Sequence, residues 1–294
     1  MDKKNKPLGK KISKFLAIIL AFVLFLATSV AVGNTLITES HYVIENSKIP
    51  VEFSGYKMLL ITDFHSASFG IDNSRLIRKI DEINPDIILL GGDMVNSVND
   101  DGSVFLSFCD KIANRFATYY IFGNHELIQG EDFYHSLESK LQNVGVTCLN
   151  NNSTTLKRGE SEISLYGLWF NLRYYQSANA EKKYYFEEQS AEELLGHSSS
   201  NFNILLTHSP TYFETYSEWG ADLTLSGHMH GGMIRLPFLG GVFSPEKDFF
   251  PKYDAGLFEN ETKKMIVSRG LGNGHIGFRV FNPPEIVIVE LKSN

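Results

Sequence analysis

From Lys57 onward the chain alternates between two textures. Short apolar runs rich in β-branched residues (KMLLIT, DIILLGG, TYYIFG, ISLYGLW, NILLTHS and DLTLSG) are separated by longer, more polar stretches. Three of those stretches, NSRLIRKIDEIN, FLSFCDKIANRF and EDFYHSLESKLQNVG, carry Leu, Ile and Phe at helical spacing. Strands alternating with amphipathic helices restrict the fold to the α/β class, built around a largely parallel sheet. The part beyond about Glu160 is richer in strands, and MIVSRG and EIVIVEL close the chain as further ones. HYVIENSKIPVEF, before the alternation starts, reads as two short strands around a turn.

The ends of the runs are chemically alike. LLIT leads to Asp63 and His65, IILLGG to Asp93, YYIFG to Asn124, His125 and Glu126, ILLT to His208, and LTLSG to His228 and His230. Ligands of an open α/β sheet gather outside the carboxyl ends of its strands. Any one of these residues has an ordinary explanation as a cap, a turn former or a satisfied loop histidine. Five such coincidences at one structural position do not. Asp63, His65, Asp93, Asn124, His208, His228 and His230 make seven candidate ligands, too many for one tetrahedral ion and suited to two ions sharing a bridge. Imidazole, carboxylate and amide oxygen without thiolate point to Mn, Fe or Zn. Two such ions can hold the attacking and leaving oxygens of an in-line displacement at phosphorus, with a water ionised between them as nucleophile. His125 is the spare imidazole, expected to stabilise the phosphoryl oxygens or protonate the leaving group.

The blocks Asp63-Phe64-His65, Gly92-Asp93, Gly123-Asn124-His125-Glu126, His208 and Gly227-His228-Met229-His230 resemble, in order, those of the calcineurin-like metallophosphoesterases. The segments GGMIRLPFLGGVFSP, KYDAGLFE, SRGLGN and FNPPEIVIVEL are similar to a bacterial subgroup with an N-terminal anchor or export signal, which includes enzymes acting on lipid and sugar-nucleotide phosphoesters. The resemblance implies a four-layer α/β/β/α sandwich over residues 56–294. It implies one metal on Asp63, His65 and His230, another on Asn124, His208 and His228, Asp93 between them, and His125 facing the substrate. A surface binding module that has lost turnover, or a nucleotidase or protein phosphatase, is the alternative; the intact His125 argues against the first and the anchor against the second.

Ahead of this domain, residues 1–14 hold six Lys and one Asp, and residues 15–33 contain no charge. Nineteen residues at about 1.5 Å each approach the thickness of a bilayer core. The expected order is a basic cytoplasmic tail (1–14), a transmembrane anchor (15–33), a linker with a first hairpin (34–55) and an extracytoplasmic catalytic body. A secretory signal, cleaved near Ser29-Val30-Ala31 to release the body, is the rival reading. The net charge of −7 becomes −12 once the +5 tail is set aside, which disfavours duplex nucleic acid as a partner. The expected partners are a phosphoester, lipid-linked or nucleotide-linked, and the membrane. Cys109 and Cys148 have no metal-type spacing; free thiols are expected over a single disulfide.

Gly272-Asn273-Gly274-His275-Ile276-Gly277 satisfies the spacing of a dinucleotide loop, but FNPPE follows in place of a helix. Arg269 and Arg279 flank this loop and are candidates for holding a phosphate. AEKKYYFEEQSAEELLG reads as a charged surface helix or lid. Trp169, Phe170, Tyr174 and Tyr175 form one aromatic cluster, and Phe238, Phe243, Phe249, Phe250 and Tyr253 another. Core packing is the default for both, with an apolar groove or a bilayer contact as the sharper expectation.

Overall fold

The strand Lys57–Ile61 shows how the two cores are separated. Side chains alternate across a strand, so Met58 and Leu60 enter the core between two sheets while Leu59 and Ile61 enter one between a sheet and helices. The computed structural model describes residues 8–177, 180–232, 234–236, 238–274, 277, 279 and 281–294. The chain starts with α1 (Leu8–Thr35), followed by β1 (Thr38–Asn46) and β2 (Lys57–Ile61). Then come α2 (Ser74–Ile83), β3 (Ile87–Leu90), α3 (Ser103–Ile112), β4 (Ala117–Tyr120), α4 (Asn124–Ile128), α5 (Glu131–Asn143) and β5 (Val146–Cys148). The second half runs β6 (Asn152–Arg158), β7 (Ser161–Leu168), α6 (Glu188–Leu195), β8 (Asn203–Thr207), α7 (Phe213–Trp219) and β9 (Leu223–Ser226). It ends with β10 (Ile234–Leu236), β11 (Gly240–Phe243), β12 (Gly256–Asn260), β13 (Lys263–Val267) and β14 (Glu285–Ser293).

Two six-stranded sheets result, in the orders β1-β14-β2-β3-β4-β5 and β12-β13-β9-β8-β7-β6. β2 to β5 are parallel neighbours, as are β7, β8, β9 and β13, so the ends of β2, β3, β4, β8 and β9 can meet at one rim. Met58, Leu60, Leu89, Leu165, Leu206, Leu225 and Val289 fill the space between the sheets. Leu76 and Ile80 of α2, Phe105 and Phe108 of α3, and Leu137 and Leu141 of α5 cover the first sheet; Ala191 of α6 and Tyr216 and Trp219 of α7 cover the second. These layers make the α/β/β/α sandwich. Leu76 and Ile80, four residues apart, share one face of α2, which is why the charged residues between them stay outside.

Four expectations change. Residues 41–53 form no hairpin: β1 pairs in parallel with β14, and Val51–Phe53 is a single 3₁₀ turn. The cause is Ile44, which alternation sends into the inter-sheet core, so the strand pairs with a distant edge. Only Glu188–Leu195 of the 180–196 stretch is helical; the preceding aromatics turn inward, with Phe186 buried. Phe170, Tyr174 and Tyr253 are buried, whereas Phe238, Phe249 and Phe250 stand largely bare to solvent. α1 extends beyond residues 15–33; it contains an 18-residue window, Ser13–Val30, apolar enough to cross a membrane, and none of that window is buried against the body. Residues 1–7 of the basic tail lie outside the described residues. Cys109 and Cys148 are free thiols.

Candidate active site and metal centre

Five loops bring the polar strand ends together. Asp63 and His65 follow β2, Asp93 follows β3, Asn124 and His125 open α4 after β4, His208 follows β8, and His228 and His230 follow β9. Asp63, His65, Asp93, His228 and His230 all have φ between 47° and 69°. Non-glycine residues pay for the left-handed region, and a cluster of them marks loops bent to aim side chains. Glycine supplies the closeness: a Cβ on Gly227 would meet Thr62 Cβ at 2.6 Å and collide with the Asp63 carboxylate. Gly123 approaches Asp93 in the same way.

The donor atoms form three overlapping groups, Asp63–His65–His230, His65–Asp93–His125 and Asp93–His208–His228, each with its atoms within 4.8 Å of one another. His65 Nε2 and His230 Nε2 are 3.2 Å apart, and His230 Nε2 is 3.5 Å from Asp63 Oδ1. His208 Nε2 is 3.1 Å from Asp93 Oδ2 and 3.8 Å from Asp63 Oδ1. Donors bound to one ion at about 2.1 Å stand roughly 3.0–3.4 Å apart, which is the spacing of the closest pairs. Asn124 Oδ1, His65 Nδ1 and His230 Nδ1 are buried without a hydrogen-bond partner among the described residues.

The electrostatics fit a cation. Burial, reinforced by neighbouring cations, lowers His65 to about 3 and His230 well below the usual imidazole range, so both rings present lone pairs at neutral pH. Burial works against charge on Asp93, but the imidazoles of His208, His125 and His65 outweigh it and hold its carboxyl well below the usual range. Asp63 moves upward through burial, with Asp93 adding to the rise. Burial opposes protonation of His208, yet Asp93 and Asp63 prevail and lift it to about 9. Two adjacent buried carboxylates with the neutral imidazoles of His65 and His230 form a donor set whose charge and lone pairs divalent ions satisfy.

Positioning contacts surround this set. His208 Nδ1 donates to Gly91 O at 2.7 Å, leaving Nε2 toward the cleft. Asp63 accepts from His228 N at 3.1 Å, and Asp93 Oδ1 accepts from His125 N at 2.7 Å. The wholly buried Glu126 carboxylate accepts from Gly123 N, Asp93 N, Met94 N and Val95 N at 2.6–3.3 Å, tying two loops together. His125 lies over His65 with ring centroids 4.5 Å apart, and its Nε2 is 3.8 Å from Asp93 Oδ2. A cleft of about 580 Å³, lined by Asp93, Asn124, His125, Tyr175, His228 and His230 among others, opens above them.

Arg269 and Arg279 do not face this cleft. Arg279, 2% exposed, donates to the carbonyls of Gly272, Arg269 and Asn282. Arg269 donates to Glu285 and Thr38. Both guanidinium groups are engaged in holding the chain that returns to β14, so neither is offered to a phosphate. Arg279's partners are carbonyls of the same returning segment, and spacing alone does not show that a nearby backbone will turn to meet a guanidinium. His275 and Ile276 of that loop lie outside the described residues.

Sequence reasoning put Tyr175 in an aromatic cluster, for core packing or an apolar groove, and assigned nothing to Glu246; neither was given a place at the metal centre. Tyr175 edges onto His228 at 5.1 Å between centroids, and its buried hydroxyl has no hydrogen-bond partner among the described residues. Burial and Asp93 push that phenol well above its usual range, so it keeps its proton. Glu246 Oε1 lies 3.2 Å from His228 Nε2. Neither residue has a spacing relation to the five blocks that could have marked it.

The profile of the calcineurin-like phosphoesterase family matches residues 56–232, the span that contains all five loops. The chain belongs to this family. The phosphoesterase is therefore a metal-dependent hydrolase of phosphoesters. It is 28% identical over 265 residues to the "Uncharacterized metallophosphoesterase YkuE" of Bacillus subtilis, covering 88% of this chain and 86% of that one. It is 29% identical over 246 residues to the "Phosphodiesterase YaeI" of Escherichia coli, covering 80% and 82%. It is also 26% identical over 255 residues to a zebrafish (Danio rerio) "Transmembrane protein with metallophosphoesterase domain", covering 83% of this chain and 55% of that one.

Proposed function

We propose that this phosphoesterase is a membrane-tethered phosphodiesterase whose cleft holds two divalent ions, drawn from Mn, Fe and Zn. The observation that carries the reading is the convergence of Asp63, His65, Asp93, His208, His228 and His230 into overlapping clusters, with the unpartnered amide oxygen of Asn124, from a fifth loop, on the same cleft. Asp63, His65 and His230 would hold one ion, and Asn124, His208 and His228 the other, with Asp93 shared. Such ions supply positive charge to a phosphoryl group and acidify water. The chain's own residues do the rest. The bent loops fix the donors, Glu126 locks the Asp93 loop to α4, and the cleft walls exclude bulk water. His125, which closes one donor group with His65 and Asp93 and also lines the cleft, faces the substrate and passes a proton to the departing oxygen. The diester assignment is supported by the name of the YaeI relative and by a cleft of about 580 Å³, larger than a bare phosphate needs. The tether is α1, supported by its uncovered apolar window and by the zebrafish relative. The five Lys before the window, with Lys14 at its start, support an extracytoplasmic body.

Hydrolysis of an aryl phosphodiester by the full chain with added Mn²⁺ tests this. His125→Ala should lower kcat by about 10²–10⁴-fold, the usual size of a lost acid–base contribution, while metal content measured by elemental analysis stays unchanged. An unaltered rate would remove His125 from its role. Metal-replete protein inert toward every phosphoester would remove the function.

A further inference from the structure

Beside the catalytic cleft lies a second cavity of about 440 Å³, walled by Gln176, Ser177 and Lys183–Tyr185, by Pro210–Glu214 and by Glu246–Tyr253. The two spaces share Glu246 as a common wall. They are also linked by an aromatic pair, Phe243 of the cleft and Phe249 of the cavity, with centroids 5.2 Å apart. A substituent on a phosphorus held in the cleft could therefore extend directly into the cavity.

The chemistry of the wall selects what would enter. Its polar groups are largely engaged with one another. Ser177 Oγ donates to Asp248 Oδ1 at 2.6 Å, and Lys252 Nζ and Tyr253 Oη meet Glu214 Oε1 at 2.6 and 2.8 Å. Gln176 bonds both to the backbone N–H and to the carbonyl of Tyr184, and Tyr212 Oη donates to Tyr174 O at 2.8 Å. Glu246 is turned to His228, and the rings of Tyr184, Tyr185, Tyr212, Phe249, Phe250 and Tyr253 supply much of the remaining contact surface. A nucleobase or sugar needs hydrogen-bond partners when it leaves water, and an alkyl chain does not. At the mouth, Tyr185, Phe249 and Phe250 are 69%, 72% and 60% exposed. Three adjoining bare aromatics are unusual on a surface that meets only water. The nearby β10–β11 hairpin carries Phe238, wholly exposed, and Leu239 at 64%. Within the same body, Asn282 donates to His230 O, four residues before the hairpin begins, and the neighbouring Phe281 packs on Phe25 of α1 at 5.4 Å. The apolar surface thus belongs to a molecule whose own tether ends in a bilayer.

We propose that this cavity is the subsite for the apolar chain of an amphiphilic phosphoester, one substituent of the phosphorus being an alkyl chain drawn from the membrane. The proposal rests on the phosphodiesterase reading, and the test separates the two. Full-chain protein in phosphatidylcholine nanodiscs is given p-nitrophenyl methyl phosphate and p-nitrophenyl dodecyl phosphate with Mn²⁺. The wild type should show a KM at least tenfold lower for the dodecyl ester. The double variant Phe249→Asp with Phe250→Asp should raise that KM about tenfold and leave the methyl ester unchanged. Phe238→Asp, outside the cavity, should retain the preference, which separates chain capture from partitioning into the disc. Equal KM values for the two esters in the wild type, a preference that survives the double variant, one that is lost in Phe238→Asp, or a larger gain from p-nitrophenyl adenosine 5′-phosphate than from the dodecyl ester would each overturn the subsite. If neither ester is hydrolysed, calorimetry with dodecyl phosphate against methyl phosphate decides. Chain-dependent binding lost in the double variant upholds the cavity while the phosphodiesterase reading fails, and its absence overturns both.

Discussion

Glu126 shows how much one side chain can organise here. Four backbone N–H groups from two loops converge on its carboxylate, in a place water does not reach. Charge-assisted hydrogen bonds are individually stronger than neutral ones, and leaving buried donors unmet adds a desolvation cost. Burial and the nearby Asp93 raise this carboxyl to about 7, so its charge is sustained by the surrounding N–H groups and by whatever positive charge the cleft holds. Glu126→Gln keeps the shape but turns an amide N–H₂ toward backbone donors. We expect it to lower the unfolding free energy by about 2–4 kcal/mol, read by urea denaturation, with weaker Mn²⁺ binding because the Asp93 loop loosens. Unchanged stability would mean that the loops hold each other without it. The sequence block Gly123-Asn124-His125-Glu126 displayed this residue openly, yet nothing in the spacing said that it would serve the loop of Asp93, 33 positions earlier.

At the scale of elements, α1 and the body meet lightly. Phe25 against Phe281, Ser29 Oγ accepting from Phe281 N at 3.1 Å, and Thr35 O accepting from Arg75 at 3.4 Å are contacts at the surface of the fold. The core begins after them, with Ile37 and Ile44 buried on either side of the start of β1. Deleting residues 1–35 should therefore leave a soluble, folded body whose melting temperature changes by about 1–2 °C, since surface contacts are typically worth about 0.5 kcal/mol. Differential scanning calorimetry in detergent-free buffer reads this; a fall beyond 10 °C would make α1 a part of the body's core. The strands that carry the site were visible as apolar runs because a strand covered on both faces has no polar side. β1 was misjudged because only Ile44 of its nine residues is fully buried, leaving an edge strand that looks like a turn-linked pair.

For the whole molecule, the two sheets act as jaws that press five loops into one dry volume, and the price is uncompensated charge when the cleft holds no cation. Ions bound to the folded state alone, at about a hundred times their dissociation constant, stabilise it by about 2.7 kcal/mol. Chelation should lower the melting temperature by roughly 5–10 °C for a body of this size, restored by Mn²⁺ and not by Ca²⁺; insensitivity to chelator would mean that the clustered donors do not bind ions. By itself the sequence determined the α/β class, the apolar stretch at the start and which polar residues close the strands, because alternation, uninterrupted hydrophobicity and residue type are local properties. Only the tertiary structure decided that β1 pairs with β14, that Arg269 and Arg279 turn inward, and that Tyr175 and Glu246 join the cleft while a second cavity opens behind them. Those outcomes depend on which surfaces meet once the chain has turned back on itself, and packing, with its demand that buried donors and charges find partners, settles them after the strands have formed.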